Sequence, residues 1–577
     1  MTATRPARHK ERWENFLRWL LPLAFLATFY FFPLGSILQL SLARGQQGLA
    51  APFLQAISSP SVHKILWFTI WQAVLSTILT LLFGLPCAYL FARFDFKGKS
   101  FIQALTSIPF VLPTLVVAAA FNALLGPRGW ANLALMQLLG LTQPPIQFMN
   151  TLGAILAAHV FYNTTIVLRM VGDFWAHLDP RLTQAAKILG ANRLQTIIHV
   201  TLPMLMPAIA AAALLVFIFD FTSFGVILIL GGPHFTTLEV EIYYQTISLF
   251  NLPLAATLSI LQLACTLGLT ILYTRLSARL SRPLALRPKR YTQRRLTTTR
   301  NRLLAGLLLI TLFSFLTLPL LALTARSFTS QSPGITSEQG SGSSLHLTLA
   351  YYQELNVNRR QSLFYVPPTT AILVSLLYAA ATVLLALTLG LPASWALANR
   401  PDSLASRIFD PLLMLPLGTS AVTLGLGFIV ALDQPPLDLR ASPLLIPFAH
   451  TLVAFPFVVR SLTPALRSIR PRLRQAAAVM GASPAQIWRY IDLPLVGRAL
   501  LVAATFAFTI SLGEFGATAL ISRPEFPTIP VMIYRFLSQP GALNYGQGLA
   551  LSTLLMLFTT TGMLAIERLR IADVGEF

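Results

Sequence analysis

Only two cysteines occur in 577 residues, and only 11% of the chain is charged. Cys87 and Cys265 both fall inside apolar runs, where a thiol behaves as a small core residue, so neither a disulfide framework nor a cysteine metal pair is expected. Charge this sparse beside 55% hydrophobic residues excludes a soluble multidomain protein and places the chain among membrane proteins. Acids are scarcer still, 20 Asp and Glu against 42 Lys and Arg, for a net charge of +22. The basic residues sit between apolar spans rather than on a soluble domain, so the charge reads as membrane topology and not as nucleic-acid binding. No cluster of His, Cys or carboxylates has metal-ligand spacing, and no cofactor is expected. Gly98-Lys99-Ser100 has the ending of a phosphate-binding loop, but the first glycine of that motif would fall at Arg93, so ATP hydrolysis by this chain is not expected.

What the chain has in abundance is apolar stretches of about 20 residues, each long enough to cross a hydrocarbon core of roughly 30 Å as a helix. They predict an all-α polytopic membrane protein with about 12 transmembrane helices in two homologous six-helix repeats. The first repeat, 1–274, has spans near 16–42, 65–92, 105–125, 152–170 and 203–230, and a sixth closing near Tyr273. The second, 303–577, has spans near 303–323, 371–398, 411–432, 444–462, 495–521 and 549–566. Between them, 275–302 forms a basic linker containing Arg287, Lys289, Arg290, Arg294 and Arg295, expected on the cytoplasmic side against anionic lipid. The leader Arg5, Arg8, Lys10 and Arg12 precedes a run too long for a cleaved signal, and Arg568 and Arg570 follow the last span, so both termini are expected in the cytoplasm. Residues 231–252, without Lys or Arg, are expected to be an outer loop, as is the polar stretch from Ser332-Pro333-Gly334 through Gly340 to Ser344.

One polar motif occurs twice on the Arg-rich side. Gln184-Ala185-Ala186, Gly190-Ala191 and Leu202-Pro203 return as Gln475-Ala476-Ala477, Gly481-Ala482 and Leu493-Pro494, offset by 475 − 184 = 291 residues. The same register pairs His159 with His450, Arg169 with Arg460, Phe224-Gly225 with Phe515-Gly516 and Ile242-Tyr243 with Ile533-Tyr534. Small residues let a partner approach closely, and a glycine ends one short helix and turns the chain into another. Ile188, Leu189 and Ile197, like Val479, Met480 and Ile487, form an apolar face that requires a cover. A lipid surface would cover a single amphipathic helix. Two copies with identical spacing favour a docking element for a partner protein.

The motif resembles the cytoplasmic "EAA" loop in membrane subunits of ATP-binding-cassette importers: E-A-A, three residues, Gly, nine residues, a β-branched apolar residue, any residue, Leu-Pro. Here it runs from Gln184 through Val200 to Pro203 and from Gln475 through Ile491 to Pro494. The resemblance implies that segments near 175–203 and 466–494 are coupling loops seated in two copies of a nucleotide-binding subunit. It also implies an external solute-binding protein and a bacterial inner-membrane location. Gln replaces Glu at the first position in both copies, which puts a salt bridge there in doubt. Fused twelve-span permeases of this kind are similar to the thiamine importers and the ferric-iron importers. The runs Ala158-His159-Val160-Phe161-Tyr162-Asn163, Thr236-Thr237-Leu238-Glu239 and Leu512-Gly513-Glu514-Phe515-Gly516 lean toward the thiamine group. A secondary transporter, also commonly twelve spans in two repeats, is the competing class.

Two acids are expected inside spans five and eleven: Asp220 and Glu514, 17 residues past Pro203 and 20 past Pro494. A charge in hydrocarbon costs about 3 kcal/mol or more, so such groups face a bundle interior or a water-filled path. Two readings stand side by side: acids lining a translocation path with Phe224, Gly225, Phe515 and Gly516, or acids bonded to a neighbouring helix. His159 and His450 are expected to be hydrogen-bonded packing residues.

Overall fold

A computed structural model of the chain describes residues 19–42, 54, 58–280, 293–331, 345–357, 366–401, 403–433 and 437–571. The basic leader, Arg287, Lys289 and Arg290 of the linker, and the polar stretch from Ser332 to Ser344 lie outside the described residues.

The molecule is a helical bundle. Among the described residues, ten helices are long and apolar enough to cross a membrane: Trp19–Leu42, Pro60–Arg93, Leu152–His177, Leu194–Phe221 and Leu252–Leu276 in the first half, then Thr299–Ser327, Pro368–Asn399, Leu445–Ser468, Pro484–Gly513 and Ala542–Ile566. These are spans one, two, four, five, six, seven, eight, ten, eleven and twelve of the sequence reading. Several outrun the expected boundaries, as where the fourth span continues to His177, whose side-chain Nδ1 lies 2.7 Å from the Asp173 carbonyl.

Spans three and nine are broken. Each is a pair of helices bent sharply, by 108° between Lys99–Val111 and Thr114–Leu139 and by 98° between Leu404–Gly418 and Ala421–Ala431. Pro113 explains the first break: a proline disfavours helical geometry at the preceding residue, and Leu112 is extended at ψ 136°. At the second, Ser420 stops the helix and starts the next, its hydroxyl accepting from the Val422 and Thr423 amides. Spans five and eleven also end earlier than expected. The helices Leu202–Phe221 and Leu493–Gly513 stop, and short helices Gly225–Leu230 and Gly516–Ile521 follow. Residues 231–252 are not simply a loop, since Leu238–Ile247 is a largely buried helix.

Spans two and four pack along their length, as do eight and ten. The repeated Gly-Leu-Pro makes this approach possible: a Cβ on Gly84 would lie 2.9 Å from Val167, and one on Gly390 would lie 2.6 Å from Val458 Cγ1. Each half has its own small apolar core, Ile166, Val167, Val171, Leu205 and Val216 in one and Ala454, Val458, Leu462, Val496 and Ala503 in the other. A larger core spans the seam. Span one packs on Ala421–Ala431 of the second half, with Tyr30 Oη 2.7 Å from Thr419 Oγ1, while span seven packs on Thr114–Leu125 of the first. Thr and Ser hydroxyls within spans bond their own helix, as Thr77 does to the Ala73 carbonyl, which satisfies a polar group where no water reaches. Phe94–Asp95 pairs in parallel with Arg294–Arg295, tying the end of the linker to the loop after span two.

Candidate functional site

The two copies of the motif fold alike. Helices Pro180–Ile188 and Pro471–Val479 begin with proline in the first turn, where a missing N–H leaves nothing unpaired. Both end in the same way. The Gly190 amide reaches the Lys187 carbonyl and the Ala191 amide the Ala186 carbonyl, each at 3.0 Å, and Gly481 and Ala482 repeat both bonds to Ala478 and Ala477. This crossed pair is a Schellman cap, which requires left-handed backbone at the glycine, here φ +89° and +86°. A reciprocal cap then opens the next turn, between Asn192 and Gln195 in one copy and Ser483 and Gln486 in the other. Each chain then widens into one π turn, Ile197–Thr201 or Trp488–Asp492, before Leu-Pro enters the span.

The sequence-predicted residues Gln184, Ala185, Gln475 and Ala476 are exposed, and Ala477 is buried. The apolar residues at the caps are the most exposed large side chains of these segments: Ile188 86%, Leu189 87%, Val479 89% and Met480 81%. Exposed apolar groups are thus gathered at one place on each copy.

A second constellation lies at the seam. Asp220 ends the helix of span five, and its backbone carbonyl accepts from Gln72 Nε2 of span two at 2.8 Å. Its Oδ1 accepts from Asn163 Nδ2 at 2.6 Å and lies 3.4 Å from His159 Nδ1, whose Nε2 is 2.9 Å from Ser223 Oγ. Glu514 lies past the end of its helix and caps the next, accepting from the amides of Ala517 and Thr518 at 2.8 and 3.1 Å and from Thr518 Oγ1 at 2.5 Å. His450 joins it, Nε2 3.3 Å from Glu514 Oε2 and Nδ1 2.7 Å from Ser511 Oγ. Both acids are buried.

Immediately beyond the acids, Phe224 and Phe515 stack across the seam, centroids 5.3 Å apart at 18°. Tyr243 and Tyr534 complete a ring of four, 5.3 Å from Phe224 and 5.5 Å from Phe515 respectively. Gly225 and Gly516 allow this arrangement, since a Cβ would come within 2.5 Å of Thr114 Oγ1 in one and 2.9 Å of Ala421 Cβ in the other. Those neighbours head the second helices of the broken spans. A cavity of about 350 Å³ opens here, lined by residues of both halves including Asn163, Phe224, Gly225, Glu239, Ala421, Phe515 and Gly516. Sequence reasoning did not assign Asn163 or Glu239 to a site. Both stand in runs already singled out for the family resemblance, and Glu239 is an acid in a stretch free of Lys and Arg, but neither signal placed them at a cavity.

A family described as "Binding-protein-dependent transport system inner membrane component" matches residues 81–282. The chain is similar over most of its length to "Thiamine transport system permease protein ThiP" of Brucella abortus strain 2308, 28% identical over 96% of this chain and 94% of the relative. The protein of the same description from Escherichia coli K12 is 28% identical over 87% of this chain and 88% of its own. A "Putative 2-aminoethylphosphonate transport system permease protein PhnU" of Salmonella paratyphi A is 30% identical over 44% of this chain and 90% of its own length.

Proposed function

The chain belongs to the inner-membrane components of binding-protein-dependent transport systems, a permease of the ATP-binding-cassette importer class, and from that premise we propose that it imports thiamine as the fused permease subunit. The observation that carries the mechanism is the pair of exposed, identically capped segments 291 residues apart. Each is the coupling element for one copy of a nucleotide-binding subunit, with Gln184, Ala185, Ala186, Gly190 and Ala191 in the first and Gln475, Ala476, Ala477, Gly481 and Ala482 in the second. Pro203 and Pro494 set the entry of each segment into its span. ATP is hydrolysed on those separate subunits, and this chain contributes no ATPase site of its own. A solute-binding protein on the outer face delivers thiamine to the seam, where Asp220, Phe224, Gly225, Glu514, Phe515 and Gly516 border the path.

The two-unit organisation, 1–274 and 303–577 joined by a basic cytoplasmic linker at 275–302, gives each ATPase an equivalent contact. The Salmonella relative matching less than half of this chain over nearly its whole length supports that division. Both termini and both coupling segments lie in the cytoplasm, on the Arg-rich side, beside anionic lipid. Closure of the nucleotide-binding subunits moves the coupling segments, and spans five and eleven carry that movement to the seam. Thiamine is supported by relatives of that description covering most of the chain at 28% identity.

Purification of the tagged permease in mild detergent, with mass spectrometry of copurifying proteins and of the ligand in any binding protein, tests this reading. An ATPase and a thiamine-loaded binding protein are expected. A binding protein loaded with ferric iron or an aminophosphonate would replace the solute. Recovery of the permease alone, with uptake that survives ATP depletion and collapses with the proton gradient, would overturn the importer mechanism in favour of a secondary transporter.

A further inference from the structure

The seam cavity is walled by aromatic faces, hydroxyl groups and two buried acceptors, Asn163 and Glu239. Phe110, Tyr162, Phe219, Phe224 and Phe515 line it, and no Lys or Arg does. Two of its polar residues, Asn163 and Glu239, are buried almost completely. Asn163 donates its amide to Asp220, and its Oδ1 has no hydrogen-bond partner. Glu239 accepts once at each oxygen, from Gln262 Nε2 at 2.5 Å and from Ser420 Oγ at 2.6 Å, which leaves lone pairs on both. A buried acceptor without a donor costs about 1–3 kcal/mol, so Asn163 Oδ1 is a point where a donor on a solute would be favoured. The negative faces of aromatic rings attract cations, and a volume of about 350 Å³ lies in the range of small-molecule sites.

We infer that this cavity is a transit site for a planar organic cation bearing N–H donors, seated against Phe224 and Phe515, with Asn163 Oδ1 accepting an N–H and Glu239 supplying the countercharge. The inference rests on the import reading above and adds a selection made by the permease itself, not by the binding protein. Its placement couples the site to opening. Glu239 belongs to the first half and Ser420 to the second, so separation of the halves breaks their bond and frees a carboxylate oxygen for the solute. Closing restores the bond and expels the competitor.

The test labels a thiol in the cavity of the complete transporter in membrane vesicles. Cys87 and Cys265 are replaced by alanine and Thr222→Cys is introduced, since Thr222 lines the cavity. A trimethylammonium methanethiosulfonate is expected to react about 10-fold or more faster than the sulfonate reagent, because one sign of charge in a low-dielectric cleft concentrates the opposite ion. Thiamine is expected to slow the reaction, and adding Glu239→Gln, which keeps the shape and removes the charge, is expected to bring the two rates together. Equal rates before that substitution, with thiamine uptake intact, would overturn the site and leave the import reading standing. A cation preference without protection by thiamine would keep the site and remove thiamine as the solute. If neither reagent reacts, uptake decides: Glu239→Gln is expected to lower it about 10-fold at equal permease abundance, with ATP hydrolysis retained, and unchanged uptake would overturn the inference.

Discussion

His159 in the first half meets Asp220 and Ser223, and His450 in the second meets Ser511 and Glu514. The offset of 291 pairs Asp220 with Ser511 and Ser223 with Glu514, so the carboxylate and the hydroxyl have exchanged places around a histidine that has not moved. One acid therefore ends a helix, while the other lies beyond the end and caps the next. The segments proposed to couple to the ATPase differ as well. Arg474 forms an ion pair with Asp492 at 2.7 Å and reaches Asn399 at the end of span eight, whereas the corresponding positions in the first copy are Thr183 and Thr201, each bonded within its own segment. What the halves share is backbone: the glycine cap, the π turn, the break after the long helix and the aromatic ring beyond it. The side chains that secure this backbone are free to change place.

That contrast can be broken first at the shared backbone. Replacing Gly190 and Gly481 together with valine forces a β-branched residue into left-handed geometry at two sites where no neighbouring atom lies within 4 Å of the new Cβ, so the effect is conformational. At about 1–2 kcal/mol per site, roughly 10-fold for each, uptake is expected to fall about 100-fold while the permease inserts normally. Either single variant is expected to lose about 10-fold, whichever half carries it. Uptake assays at matched abundance check this, and unchanged uptake in the double variant would end the coupling assignment.

The exchanged carboxylates offer a finer separation. Glu514→Gln removes a charged acceptor of three hydrogen bonds and Asp220→Asn removes an acceptor of one from Asn163, so the former is expected to be the more destabilising, by about 1.5–3 kcal/mol. Thermal unfolding in detergent measures the order. Asp220→Ser with Ser223→Glu rebuilds the first half in the pattern of the second, and it is expected to recover a good part of the stability that Asp220→Ser alone loses. No recovery would mean that the local backbone, not the histidine, dictates where the acid sits. The smallest effect belongs to Arg474→Ala. A partly exposed ion pair contributes about 0.2–1 kcal/mol, and its loss is expected to raise hydrogen exchange in 471–492 to the level of 180–201 without a measurable change in uptake.

Much of the plan was legible in the chain because a repeat compares itself. Residues held at one spacing in two places, such as Gly190 and Gly481, announced a backbone requirement, and the caps supply its reason. Apolar length gave the straight spans. The broken spans three and nine were not legible, because Leu112-Pro113 and Thr419-Ser420 lie inside apolar runs whose length alone reads as one crossing. The acids were visible as anomalies in hydrocarbon and at different distances from their prolines, but the histidine and hydroxyl that each would meet were not, because His159 and His450 lie far away in sequence. Asn163 and Glu239 lay within runs that carried the family resemblance, but nothing in those runs showed that the two side chains meet at one cavity.

Composition, periodicity and the 291-residue repeat by themselves determined a helical membrane protein in which one polar motif occurs twice at the same spacing, since each of those properties depends on neighbours close in sequence. The tertiary structure alone decided that Phe224 meets Phe515, that Glu239 meets Ser420 and that Tyr30 meets Thr419, contacts 291, 181 and 389 residues apart. They arise where two halves pack against each other, and the geometry of that packing depends on the bends at Pro113 and Ser420, which set where each inner helix crosses the seam.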